Sequence, residues 1–398
     1  MTKQPSYRFA DYDEPWEEKK LGEVAELLNG RAYKQEELLE DGEYRVLRVG
    51  NFNTNDRWYY SDLQLEDSKY ANYGDLLYLW ATNFGPELWK EEKVIYHYHI
   101  WKISGYSNIL DKYYFYTFLE KDKNRIKQNT NGSTMVHITK GMMEERVLTF
   151  PSLLEQTVIG SFFQDIDQLI SLQQRKLEVL KEQKKTYLKL LFPAKGQTKP
   201  ALRFAGFEDE WKEVKLGEIA ELKRGLTYKP TSVVENGIRV LRSSNIDGDV
   251  FKKQEDDVFV EDSSVTIPYV QFGDILITAA NGSSKLVGKH AIIEDSEKMV
   301  HGGFMLLARS KQYKFLNALL SSEWYSRFIN VSVAGGNGAI GNLSKSNLEK
   351  EIVLCPTIPE QEAIGSFFQD LDKAIAKQEE KVNQLKESKQ TLLRKMFI

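Results

Sequence analysis

The chain has 398 residues, with 54 lysines and arginines against 58 aspartates and glutamates and a formal net charge of −4. Hydrophobic residues make up 41%, which excludes a disordered chain and is enough for two domains with separate cores. The single cysteine, Cys355, excludes an internal disulfide; no basic-then-apolar leader opens the chain and no apolar run reaches the ~18–20 residues of a membrane span, so a soluble cytoplasmic protein is expected.

The chain is written twice. WEEKKLGEVAELLNGRAYK around Trp16 returns as WKEVKLGEIAELKRGLTYK around Trp211, an offset of 211 − 16 = 195. The two tryptophans are expected to pack the opening strand. LGEVAELLNG and LGEIAELKRG predict short helices ending at Gly30 and Gly225, because glycine readily takes the left-handed conformation after a helix. RVLRV, DLLYLW and EKVIYHYHIWKI predict strands, and FYTFLEKDKNRIKQN an amphipathic helix. In the second half DILIT and HAIIE predict strands and KFLNALLSSEWYSRFIN a helix. RVLRVGN answers RVLRSSN at an offset of 194, YGDLLYL answers FGDILIT at 199, and ITK answers LSK at 205. The drift places insertions between shared strands, the usual way to vary binding loops on a fixed scaffold.

Each half closes on a long helix. PSLLEQTVIGSFFQDIDQ from Pro151 returns as PTIPEQEAIGSFFQDLDK from Pro356. The first helix has a seam of Ile159, Phe163, Ile166, Ile170, Gln173, Leu177, Leu180, Lys184, Tyr187 and Leu191. The second has Ile364, Phe368, Leu371, Ile375, Gln378, Val382, Leu385, Lys389, Leu392 and Met396. Spacings of four and three make these heptad seams, and the shared glutamines and lysines set register. At 1.5 Å per residue each helix is ~50 Å long.

The expected fold class is α+β. Two similar mixed α/β domains are separated by two long antiparallel helices that form a coiled coil, with a pseudo-twofold internal repeat. The boundaries are a first domain at 1–150, a central helix at 151–192, a linker at 193–202, a second domain at 203–355 and a final helix at 356–398.

The doubled W-x4-LGE-x-AEL opening, the G-D-[LI]-L strand and the P-x3-EQ-x2-IGSFFQD-[IL]-D segment together resemble the specificity (S) subunit of a type I restriction–modification enzyme. The resemblance covers essentially the whole chain. It implies two target recognition domains, each reading half of a bipartite asymmetric site on double-stranded DNA, and helices that set the spacer. It also implies docking of two adenine methyltransferase (modification) subunits, and through them restriction subunits. S-adenosylmethionine, ATP and Mg would then sit on those partners, with no cofactor, metal or catalytic residue on this chain.

Reading bases takes side chains with paired donors and acceptors, and holding phosphates takes cations and small polar groups. The first loop set is Arg31, Tyr33 and Lys34, matched by Arg224, Tyr228 and Lys229. The second is Arg48, Asn51, Asn53, Asn55 and Arg57, matched by Arg242, Ser243, Ser244 and Asn245. The third is Thr82 and Asn83, matched by Asn281, Ser283, Ser284, Lys285 and Lys289. A fourth pair is 129–137 and 335–342. The charge balance runs against this reading: residues 1–150 carry 20 basic and 25 acidic groups. The alternative is a non-catalytic protein-interaction scaffold docking through its coiled coil. Enzymatic readings fare worse. No Asn-Pro dipeptide occurs, so the amino-methyltransferase motif is absent, and GSSKLVGKH has five residues between its glycines where a phosphate loop has four. His97 and His99 are expected on one face of a strand, in a structural role.

Overall fold

The computed structural model describes residues 4–52, 55–81, 84–129, 138–333 and 341–397. Contacts divide the chain into two units, Met1–Gln174 with Glu380–Ile398, and Arg175–Glu379. Both cuts fall inside long helices, Leu153–Leu190 and Ile358–Met396, which run without interruption. Each unit therefore owns half of each helix. Among the described residues no helix is long and apolar enough to cross a membrane.

In the first unit the strands Glu26–Asn29, Ile100–Ser104, Leu76–Leu79 and Gly85–Leu88 form an antiparallel sheet in that order. A second four-stranded sheet pairs Tyr44–Leu47 in parallel with Val94–Tyr96. Glu17–Lys20 pairs with Val147–Phe150, which delivers the chain to the long helix. The second unit repeats this plan. Glu221–Arg224, Met305–Arg309, Ile275–Thr278 and His290–Ile292 form one sheet, and Ile238–Leu241 runs parallel to Met299–His301 in the other.

Three local expectations are corrected. The LGE segments make only one helical turn, Leu21–Val24 and Leu216–Ile219, and the residues up to Asn29 and Arg224 are strands. Pairing with a buried neighbouring strand outweighs helix propensity there. Gly30 and Gly225 are needed for close approach: a Cβ would lie 2.4 Å from the His97 carbonyl oxygen in one and 1.9 Å from that of Gly302 in the other. EKVIYHYHIWKI is two strands in different sheets, broken by a turn at His97–His99. KFLNALLSSEWYSRFIN is two helices, Tyr313–Leu320 and Glu323–Ser332, because the pair Ser321–Ser322 ends one and starts the next.

The repeated helix motif now has a physical reading at each position. Glu155 and Glu360 are each 1% exposed and bind a guanidinium with two oxygens: Arg8 at 2.7 and 2.7 Å, Arg203 at 2.8 and 2.6 Å. The amides of Gln156 and Gln361 donate to the carbonyls of Pro151 and Pro356, five residues back. Gly160 and Gly365 let the helix touch the domain. A Cβ at Gly160 would stand 2.6 Å from Asp111 Oδ1, and one at Gly365 would stand 2.6 Å from the Phe315 nitrogen. Phe163 and Phe368 then enter the cores. Gly365→Ala should cost about 1–3 kcal/mol by overpacking, read as a lower urea midpoint at unchanged slope. A variant as stable as the parent would mean that the contact yields freely.

Within each unit the half-helices run antiparallel. In the first, Ile159 and Phe163 share a core with Met396 and Phe397, and further along Lys386 donates to Gln174. In the second, Leu191 and Phe192 share a core with Ile364 and Phe368, and Lys181 meets Glu379. The seam residues are buried or half-buried along their whole length. The two seam lysines sit between carboxylates. Lys389 Nζ is 2.6 Å from Asp167 on the helix and 2.6 Å from Glu120 on the domain; Lys184 Nζ is 2.8 Å from Asp372 and 2.6 Å from Asp249. The helix acids are equivalent, 372 − 167 = 205, whereas the domain acids come from different elements: Glu120 from the helix Lys112–Asn129, Asp249 from a hairpin turn.

Candidate nucleic-acid interface

Strand register brings the loop sets together. In the first unit Asn29 lies opposite Trp101, Leu79 opposite Ile100, and Leu47 beside Tyr96. The loops that follow Asn29, Leu47 and Leu79 thus leave the sheets at the end where the His97–His99 turn sits. Backbone bonds tie the junction: Arg31 N–H to the Tyr96 carbonyl, Tyr98 N–H to that of Arg31, His97 N–H to that of Leu47, and Trp80 N–H to that of His99. The second unit matches it. Leu226 N–H donates to the His301 carbonyl, Gly302 N–H to that of Leu241, and Ala279 N–H to that of Phe304. The fourth loop meets the third through the pairing of Ala280–Asn281 with Gly341–Asn342. Each unit therefore has one loop cluster at one end.

The side chains divide into struts and exposed groups. Asn51 accepts from Arg48 N–H and donates to the carbonyls of Asn55 and Arg57. Asn245, 0% exposed, accepts from Arg242 N–H and donates to Lys252 and Asp257. The sequence marks both as DNA contacts, and Asn245 is corrected: its amide is consumed inside, holding the turn. Arg31 is paired with Glu37 at 2.6 Å and lies over Tyr33. Glu37 is held below the usual carboxylate range by the Lys34 backbone N–H, with Arg31 adding to the effect. Arg48 donates to the Arg57 carbonyl and lies 4.3 Å over Tyr59. Tyr33 and Tyr228 are half-buried against small cores. Ser243 accepts from Asn281, and Lys289 is half-buried. Lys34, Arg57, Arg224, Lys229, Ser283 and Lys285 are exposed, and Arg242 is partly so. Asn53, Thr82, Asn83 and positions 130–137 and 335–340 of the fourth loop lie outside the described residues.

The turn at the centre of each cluster was missed. His97, Tyr98 and His99 lie in it with Trp80 beside them, its ring 4.9 Å from His99 and its indole N–H donating to the Tyr98 carbonyl. Gly302–Gly303–Phe304 takes the same place in the second unit. A glycine pair between two apolar runs is a turn signal, and the offset of 205 carries it onto His97–Tyr98.

Two histidines at these turns are held neutral. Burial lowers the His97 pKa from 6.5 to about 4, with His99 and Arg48 adding to it. Burial likewise lowers that of His301, 1% exposed, to about 4, its bond to the Lys223 carbonyl opposing. The unfolded chain then binds more protons between pH 6.5 and 4, so stability is lost as pH falls through that window, by up to roughly 3 kcal/mol for His301. Urea unfolding of His301→Gln should lose less stability than the parent between pH 7 and 4.5. Parallel losses would contradict the assignment.

The family profile for the type I restriction modification DNA specificity domain matches twice, over residues 13–182 and 208–387. The chain belongs to this family. Each copy holds one target recognition domain of a DNA-binding specificity subunit and most of the long helix that follows it. It is similar to the specificity subunit of the type I restriction enzyme MjaVIII from Methanocaldococcus jannaschii, 24% identical over 342 residues, 81% of this chain and 78% of that one. It is also similar to the EcoBI specificity subunit from Escherichia coli, 22% identical over 94% of this chain and 84% of the relative. The crystal structure of a type I restriction–modification S subunit from M. genitalium shares the fold, with a TM-score of 0.66 and 16% identity over 100% of this chain and 99% of that one. A chain from a study of complex assembly and conformational transition of the type I system shares it with a TM-score of 0.54 and 14% identity, covering 97% and 99%.

Proposed function

We propose that this specificity subunit reads a split, asymmetric DNA sequence, half with each loop cluster, and carries two adenine methyltransferase subunits on its long helices, and restriction subunits through them. The observation behind this reading is the repetition of one loop cluster, on one strand register, with unlike side chains in the two copies. Equal scaffolds with unequal loops suit a site whose halves differ. The helix surface supports the docking role. Leu169, Leu172 and Val179 are 41%, 65% and 50% exposed and lie three and seven residues apart, one stripe of a helix. The chemistry then belongs to the partners, which bind S-adenosylmethionine, ATP and Mg, and the assembly works in the cytoplasm.

Co-expression with the modification subunit, followed by sequencing of methylated adenines, tests the assignment. One bipartite motif is expected. Methylation scattered without a shared motif would overturn it.

A further inference from the structure

The geometry points to Phe304 as an apolar wedge that enters the base stack of the half-site read by the second unit. This rests on the DNA-reading assignment above. Phe304 is 73% exposed, yet it sits at the centre of the loop cluster, where its backbone is clasped. Its carbonyl accepts from both Ala279 and Ala280, at 2.9 and 3.0 Å. The preceding turn is pressed against the neighbouring loops. Gly302 N–H is 2.9 Å from the Leu241 carbonyl, and a Cβ on Gly303 would stand 3.2 Å from Thr227 Oγ1. Glycines at 302 and 303 leave the ring without side-chain neighbours on its own turn.

The first unit differs at the same position. There His99 occupies the place of Phe304, and the Trp80 indole packs edge-on at 4.9 Å. The residue matching Trp80 is Ala279, 6% exposed, too small to cover a ring. An uncovered phenyl on a rigid backbone, with Arg224, Lys229 and Lys285 exposed in the same loop cluster, matches the chemistry of duplex DNA: cations for phosphates and an apolar face for bases. Wedges of this kind unstack one base step and stack on its exposed faces. In the first unit the ring at this position, His99, is covered by Trp80.

The test uses the full chain assembled with its modification subunits and duplexes carrying the methylated motif, with 2-aminopurine placed at successive positions of the second-domain half-site. The parent should raise fluorescence at one step other than the methylated adenine. Phe304→Ala should abolish that signal and weaken binding by about ten- to a hundred-fold, while Phe304→Trp keeps both. Absence of a signal at every step, or an unchanged signal and affinity in Phe304→Ala, would overturn the wedge while leaving the DNA-reading assignment intact. Phe304→Ala losing its modification subunits in gel filtration would assign the ring to a protein contact and also overturn it. A parent complex that shares no motif sinks both readings.

Discussion

Glu360→Gln is expected to destabilise the second unit by about 3–5 kcal/mol, the usual result of removing one partner from a buried ion pair. The carboxylate is 1% exposed, and the Arg203 side chain is 14% exposed. Arg203 grips both carboxylate oxygens through Nε and Nη2. An amide keeps the shape but removes the charge that both guanidinium bonds meet, leaving only the weaker pull of Asp209 and Glu208. The loss should appear as a lower urea midpoint. Replacing both partners by methionine should recover most of it, since an apolar pair of similar volume is often neutral or better. Glu155→Gln should do the same in the first unit, where Arg8 is the partner. A single substitution costing under ~1 kcal/mol would show that this pair does not seat the helix. The pair's place explains why so much depends on it: each arginine lies ahead of its domain's first strand and each glutamate is in the first turn of the helix behind it, so one bond closes the domain onto its helix.

The second large effect concerns salt. Should the two loop clusters neutralise about six phosphates, affinity for the specific duplex should fall about a thousand-fold between 50 and 200 mM monovalent salt. For a chain of net charge −4 this is a demanding expectation, because attraction must come from local clusters. Arg57, Lys34, Arg224, Lys229 and Lys285 are the exposed cations in position to supply it. Lys285→Ala should reduce the salt slope by about one and weaken all sequences alike, whereas a base-reading residue would relax one position of the motif. A flat salt response in the assembled complex would favour the scaffold alternative.

What the amino-acid order determined by itself was whatever repeats or recurs at a fixed period. The duplicated plan, the helix seams, their lysines and the family resemblance could all be read from it, because a helix carries its own backbone hydrogen bonds and its apolar face follows a period of 3.6. The loop positions were also readable from their spacing. Long-range pairing decided the rest. ELLN became a strand because Trp101–Ser104 lies beside it, and Gly30 serves close packing with no helix to cap. Asn51 and Asn245 look like base readers in one dimension, and only the fold reveals that their amides are bound internally. Phe304 looked unremarkable for the opposite reason. Whether a ring is buried or bare depends on the residue facing it across the turn, here Ala279 in place of Trp80, and that neighbour is distant in sequence.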